Sequence, residues 1–227
     1  MLPSPARALA SLCLGLLLGW APSLSSASAS APPEPPAAPA SSEPGPVREA
    51  DEYTRYELLD PASAKFHILF EVTAITPGTT SYFNPIRKGS AASGEAVTDR
   101  GTGKRLSFEV VTGEEARKSG LPEADAATSY IRIHLPHPVP AEGGVRLLIE
   151  KTYEDAKSYF RKGANRIVFS RPLGIRRNAV VLPAGYELVA CNYPSQVRSE
   201  ADGRIAVSFM HPGPEAVPLT IEARRLR

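Results

Sequence analysis

Apolar side chains recur at every second position along much of the chain that follows residue 46. Within residues 65 to 76, one face carries the apolar set Phe66, Ile68, Phe70, Val72 and Ala74. Successive side chains of an extended strand point to opposite faces, so this spacing predicts a strand with one buried face. The repeat therefore favours sheets as the building unit of the fold.

The same spacing predicts a strand in five further segments. Their apolar rows are Leu106, Phe108 and Val110; Ile131, Ile133 and Leu135; Val145, Leu147 and Ile149; Ile205, Val207 and Phe209; and Leu219, Ile221 and Ala223. Shorter apolar stretches at residues 166 to 169, 179 to 182 and 186 to 190 predict additional strands. Glycine-containing turns separate the segments, and Asp202-Gly203 is a strong hairpin signal.

Helical signal is confined to two short segments. Thr112 and Glu115 have the spacing of a capping box, and Gly120 followed by Pro122 predicts the end of that helix. Residues 155 to 160 form the second segment. We therefore predict an all-β fold, an antiparallel β-sandwich with one or two short helices, built as one large sandwich or as two in tandem with a seam near residue 156.

The first 29 residues have the three-part pattern of a secretory signal peptide. Arg7 precedes an apolar run that ends at Trp20, and small residues follow as far as Ala29. The run is shorter than the ~20 residues that a membrane-spanning helix needs, which favours cleavage over retention as an anchor. We expect a chain exported to the periplasm or the extracellular space, without a transmembrane segment once mature.

Residues 30 to 46 contain seven prolines and no large apolar side chain. Such a segment cannot bury enough surface to offset its ordering entropy, so it predicts a disordered linker rich in Pro, Ala and Ser. The β-sandwich domain is then expected over residues 47 to 227. After signal removal Cys191 would be the sole thiol, and its place after an apolar stretch predicts that it is buried.

The positive and negative charges are nearly balanced, so the net charge does not indicate a class of partner. The sequence has 26 Lys and Arg against 24 Asp and Glu, spread along its length. Nucleic-acid binders concentrate basic residues on one face, so no nucleic-acid partner is expected. The expected partner is a protein or a ligand of the cell envelope whose identity the sequence does not give.

Residues that could carry chemistry do not form a complete motif. His134 and His137 lie three apart and point to opposite faces of an extended strand, which disfavours a shared metal. His67 and Glu71 share a face but stand ~13 Å apart. The sequence contains no HExxH and no G-x-S-x-G motif. We therefore predict no catalytic residue, no cofactor and no metal.

One segment suggests recognition of a ligand or partner. Arg171, Arg176 and Arg177 are expected in a connection that contains Pro and Gly, with Tyr159 and Tyr193 in neighbouring loops. Guanidinium groups and tyrosines are favoured at recognition surfaces, so these five residues are candidate contacts. The alternative is a solvated loop whose arginines form ordinary surface ion pairs.

The order of the strands resembles that of a known family. Residues 65 to 72, 130 to 140, 145 to 153 and 180 to 187 look like strands of the N-terminal β-domain of aminopeptidase N-type (gluzincin) metallopeptidases. The similarity covers about residues 50 to 225 and implies a β-sandwich. The zinc motif of that family lies in a following helical domain. No catalytic residue is therefore implied here, and peptidase activity is not expected.

Three functions are compatible with these observations. The first is an exported, non-catalytic β-sandwich that serves as a binding or accessory module. The second is a secreted hydrolase whose site is assembled from distant loops, which requires a deep polar cleft with converging His, acidic and Ser or Cys side chains. The third is a structural or assembly role in the cell envelope, which predicts an exposed edge strand or apolar patch.

Overall fold

In a computed structural model, which describes residues 48 to 227, the chain forms fourteen strands and one short helix. The predicted signal peptide (residues 1 to 29) and the predicted linker (residues 30 to 46) lie outside the described residues. The elements, in chain order, are β1 (Glu49–Leu58), β2 (Lys65–Ala74), β3 (Ser81–Pro85), β4 (Ala91–Asp99), β5 (Phe108–Thr112), α1 (Gly113–Lys118), β6 (Ser129–His134), β7 (Val145–Glu154), β8 (Tyr159–Lys162), β9 (Arg166–Leu173), β10 (Arg177–Val181), β11 (Tyr186–Cys191), β12 (Gln196–Ser199), β13 (Ile205–Met210) and β14 (Val217–Arg225).

Seven strands form one large sheet in the order β12-β13-β10-β1-β2-β7-β4. Its ladders are antiparallel except for the pair β1 and β10, which runs parallel. The alternative prediction was two tandem sandwiches with a seam near residue 156. The large sheet instead contains strands from both sides of that residue. The arrangement is that of one sandwich.

The opposite layer consists of two smaller sheets. Four strands pair in the order β11-β14-β9-β8, and three in the order β3-β6-β5. The main apolar core contains inward side chains of all three sheets, including Phe66, Ile133 and Phe169. Each large side chain buried in this way contributes roughly 1.5–3 kcal/mol. The predicted all-β sandwich is confirmed.

The period-two pattern places side chains correctly in β2 but not in β5. All five predicted inward residues of β2 are buried, as the pattern requires. In β5, Val110 is 56% exposed, and Val111 is buried instead. Val111 packs in a second apolar cluster with Ala116 of α1, and Phe108 on the other face of the strand packs, half-buried, against the main core.

The first predicted helix forms and the second does not. At the start of α1 the Thr112 hydroxyl accepts the Glu115 N–H at 3.2 Å, and the Glu115 carboxylate accepts the Thr112 N–H at 2.8 Å. Near residue 155, the Asp155 carboxylate instead accepts the N–H groups of Lys157 and Ser158, which forms a turn before β8. A side chain that binds nearby backbone in this way competes with helix formation.

Within residues 48 to 227, no helix is both long enough and apolar enough to span a bilayer.

Candidate functional site

A cavity of about 160 Å³ lies between the large sheet and the opposite layer. Its walls come from β1, β2 and β7 of the large sheet, and from β3 and β9 of the two smaller sheets. Pro85, Arg87 and Ile175 are exposed or half-buried at its rim, whereas the deeper lining residues are buried. The cavity therefore lies where residues of both smaller sheets face the same part of the large one.

Lys151 reaches this cavity because it occupies an inward position of β7. The alternate residues Val145, Leu147, Ile149 and Tyr153 are all buried on the same face, and Lys151 itself is 5% exposed. Its ammonium donates to Asn84 Oδ1 at 2.5 Å and to the Pro85 carbonyl at 3.2 Å. Both acceptors are uncharged, so the lysine charge is not neutralised by these contacts.

Arg171 enters from the opposite layer on the inward face of β9, next to Phe169 and Leu173. It is 7% exposed, and its guanidinium carbon lies 5.2 to 5.7 Å from the ring centres of Phe66, Tyr56 and Tyr153. Nε and Nη1 are buried without a hydrogen-bond partner in the described part of the chain. Buried donors are normally paired, because a missing bond costs about 1–3 kcal/mol.

Burial sets the electrostatics of the cavity. Loss of solvation lowers the pKa of Lys151 to about 8, and the positive charge of Arg171 acts in the same direction. Loss of solvation also lowers the pKa of Arg171 below its ordinary value, with a further contribution from Arg87. Both shifts have the cause expected for cations held in a low-dielectric site. An anion in the cavity would relieve this unfavourable charge.

The two tyrosines of the cavity wall remain neutral donors. Burial is the main cause that raises the pKa of Tyr56 and of Tyr153. The Tyr153 oxygen already accepts the Arg87 N–H at 3.0 Å, which leaves its own proton free to donate. The cavity thus combines cationic and neutral donors with apolar walls that include Ile68 and Phe70.

The five residues predicted as contacts do not form one surface. Arg171 and Tyr159 were expected in loops, but Arg171 lies in β9 and Tyr159 is fully buried in β8. The Tyr159 hydroxyl donates to the Leu59 carbonyl at 2.8 Å, which is a structural contact. The loop placement of Arg171 was wrong because β9 extends beyond the apolar stretch of residues 166 to 169, and that of Tyr159 was wrong because β8 forms where no strand was predicted.

The other three candidate contacts lie away from the cavity. Arg176 and Arg177 are exposed, and the Arg177 Nε donates to the Glu52 carbonyl at 3.0 Å. Tyr193 is half-buried and its ring lies 5.3 Å from that of Phe209. Of the five predicted residues, Arg171 is the one that lines the cavity.

Sequence reasoning missed Lys151 as a site residue, although a signal for it exists. The row of inward residues from Val145 to Tyr153 places Lys151 on the buried face, and a charge at such a position needs a partner. Asn84 gives no comparable signal, because β3 is short and its burial follows from tertiary packing.

The remaining chemical candidates are dispersed. His134 and His137 are exposed; His134 Nε2 lies 3.6 Å from Glu109 Oε1, and His137 Nδ1 lies 3.0 Å from the Pro138 carbonyl. Among residues 48 to 227, no group of three or more His, Cys, Asp or Glu side chains is arranged to hold a metal ion. Cys191 is half-buried, not buried, and its thiol donates to the Tyr193 carbonyl at 3.2 Å.

Comparison with known proteins gives matches among solved structures alone. No family model matches the chain. No curated protein matches it. An M1 zinc metallopeptidase from Deinococcus radiodurans is 12% identical, with a TM-score of 0.47 over 79% of this chain and 42% of that one. A variant from the same organism bound to a Tyr-Ser-Ala substrate is 13% identical, with a TM-score of 0.46 over 79% of this chain and 43% of that one.

These matches are to metallopeptidases, as the resemblance in the sequence predicts, and the resemblance is confirmed to that extent. The chain spans less than half of the length of these solved structures, 42% and 43%. The peptidase activity named for them is not carried over to this chain.

Proposed function

We propose that this protein is an exported, non-catalytic β-sandwich module that binds a small organic carboxylate in the cavity between its layers. The observation that carries the proposal is Arg171, which lines the same cavity as buried Lys151. Two nitrogens of its buried guanidinium have no hydrogen-bond partner among residues 48 to 227. The pattern of residues 1 to 29 supports export.

The charge of the site favours an anion. Two buried cations cost folding free energy unless an opposite charge compensates them. Among residues 48 to 227, no carboxylate lines the cavity, and the acceptors that contact Lys151 are an amide and a backbone carbonyl. An anionic ligand would supply the missing charge and the missing acceptors at once.

The size and walls of the site favour a small carboxylate with an apolar body. The planar guanidinium matches the two oxygens of a carboxylate. A cavity of about 160 Å³ is close to the ~150 Å³ that holds a benzene molecule in another protein. Ile68, Phe70 and Ile175 provide apolar contact for the remainder of such a ligand.

Titration calorimetry of the purified full chain with isobutyrate and benzoate tests the proposal. We expect saturable binding of one equivalent. Arg171→Met should weaken it by at least about tenfold, because hydrogen bonds to charged groups contribute about 1.5–3 kcal/mol. Arg166→Met is the matched control, since Arg166 lies on the same strand and pairs with Glu222 outside the cavity.

Two results would contradict the assignment. One is equal affinity in the protein and in its Arg171→Met variant, and the other is tighter binding of inorganic phosphate or sulfate than of either carboxylate. Arg176 and Arg177 remain proposed contacts for a partner protein, separate from the cavity. Their replacement by alanine should leave the affinity for carboxylates unchanged.

A further inference from the structure

We propose that Lys151 forms a reversible imine with small 2-oxo acids that Arg171 holds in the cavity. The inference rests on the proposed function, since the same guanidinium binds the carboxylate. It adds an activity, the covalent capture of a carbonyl group next to that carboxylate. Pyruvate and 2-oxobutyrate represent this chemical class.

The two groups converge on one aromatic ring from opposite layers of the sandwich. Lys151 Nζ lies 5.2 Å from the centre of the Tyr153 ring, and the Arg171 guanidinium carbon lies 5.7 Å from the same centre. A 2-oxo acid carries its carbonyl carbon directly beside its carboxylate. It therefore requires an amine and a guanidinium that line one small cavity, as these two residues do.

The amine has the surroundings of a nucleophilic lysine. A lysine that is desolvated beside another cation has an increased fraction of the neutral, reactive amine. Asn84 and Pro85 from β3 contact Nζ through neutral oxygens, and Arg171 adds positive charge from β9. Glu95 on β4 acts in the opposite direction, as a smaller effect than burial.

The reaction balances without an oxidant or a reductant. The neutral Nζ attacks the carbonyl carbon, and a carbon–nitrogen double bond replaces the carbon–oxygen double bond. The carbonyl oxygen leaves as water with the two hydrogens that the amine loses. Tyr153 lines the cavity as a protonated hydroxyl, so a proton donor for the departing oxygen is present in the same space.

Borohydride trapping tests this inference. The full chain is incubated at pH 8 with pyruvate and sodium cyanoborohydride, and adducts are located by mass spectrometry of peptides. We expect one adduct, on Lys151. Lys151→Arg keeps the positive charge without a primary amine and should give no adduct there. Lys65→Met removes a partly exposed lysine outside the cavity and should leave the labelling intact.

Arg171→Met should reduce labelling by pyruvate at least tenfold but leave labelling by acetone, which has no carboxylate, largely unchanged. Labelling spread over several exposed lysines, or equal labelling of Lys151 without Arg171, would overturn the inference. Isobutyrate separates the two proposals, because it cannot form an imine. If isobutyrate binds and Lys151 gives no adduct, the imine is wrong and the proposed function stands.

Discussion

At the scale of single residues, two cations occupy positions normally held by apolar side chains. Lys151 shares its face of β7 with Ile149 and Tyr153, and Arg171 shares its face of β9 with Phe169 and Leu173. An apolar residue of similar volume at either position is often neutral or stabilising, because it avoids the desolvation of a charge. Burial of the two cations therefore lowers the stability of the free protein. A role in binding an anionic ligand explains why charged residues occupy these positions.

The pH dependence of stability measures this cost for Lys151. Its pKa in the folded protein is about 8, below the ordinary 10.5. Below pH 8 Lys151 is charged in both the folded and the unfolded protein, so the full cost of burying the charge applies. Above pH 10.5 Lys151 is neutral in both states. The cost of burial is therefore relieved as the pH rises between these two values. We expect the free energy of unfolding to gain about 3 kcal/mol from this group over that range.

Denaturant unfolding of the protein and of Lys151→Met from pH 7 to 10.5 checks this expectation. The variant should be the more stable of the two at pH 7, and its advantage should shrink as the pH rises. Lys65→Met, at a partly exposed position paired with Glu154, should show no such trend. A difference that stays constant with pH would show that the Lys151 charge is not penalised by burial.

At the scale of elements, α1 begins with a close backbone approach between Gly113 and the segment that connects α1 to β6. A Cβ on Gly113 would overlap the carbonyl oxygen of Asp125 and would lie 2.7 Å from its carbonyl carbon. The segment that approaches is itself tied down, because Arg117 Nε donates to the Ala124 carbonyl at 2.7 Å. Neither backbone can move away without loss of these contacts.

Gly113→Ala should therefore destabilise the protein by about 2 kcal/mol, within the range seen for overpacked sites. Gly174→Ala is the matched control, since a Cβ on Gly174 would meet no atom within 4 Å. The control should be neutral or slightly stabilising, because alanine reduces the entropy of the unfolded chain. Equal melting temperatures for the two variants would mean that α1 does not depend on this approach.

The elements that sequence reasoning predicts well are those whose local pattern agrees with their burial. β2 and β7 alternate strictly, and the capping box at Thr112 satisfies backbone donors within one turn of chain. β1 and β12 give little such signal. β12 is exposed along its whole length and is held by its ladder with β13, which is a partner that no local pattern identifies.

At the scale of the whole molecule, the cavity results from the division of one layer into two sheets. Lys151 belongs to the large sheet and Arg171 to the four-stranded sheet, while Asn84 comes from the three-stranded sheet. Periodicity predicts which side chains point inward on strands such as β2 and β7. It does not predict which strands face each other across the sandwich. Arg171 could therefore be predicted as a candidate contact, but its position in the same cavity as Lys151 could not.

This arrangement also assigns separate roles to the two ends of the β9 to β10 segment. Arg171, near the end of β9, faces the interior, whereas Arg176 and Arg177, where β10 begins, face solvent. Three arginines that are close in sequence thus belong to different environments. The ligand in the cavity and any partner protein at the surface are expected to bind independently.

A crystal structure of the full chain grown with saturating benzoate tests the central claim most directly. We expect one benzoate between the layers, with its carboxylate oxygens ~2.8 Å from Arg171 nitrogens and its ring against Ile68 and Phe70. Benzoate bound only at the exposed Arg176 and Arg177, or an Arg171 guanidinium that contacts protein acceptors and leaves no room for a ligand, would contradict it.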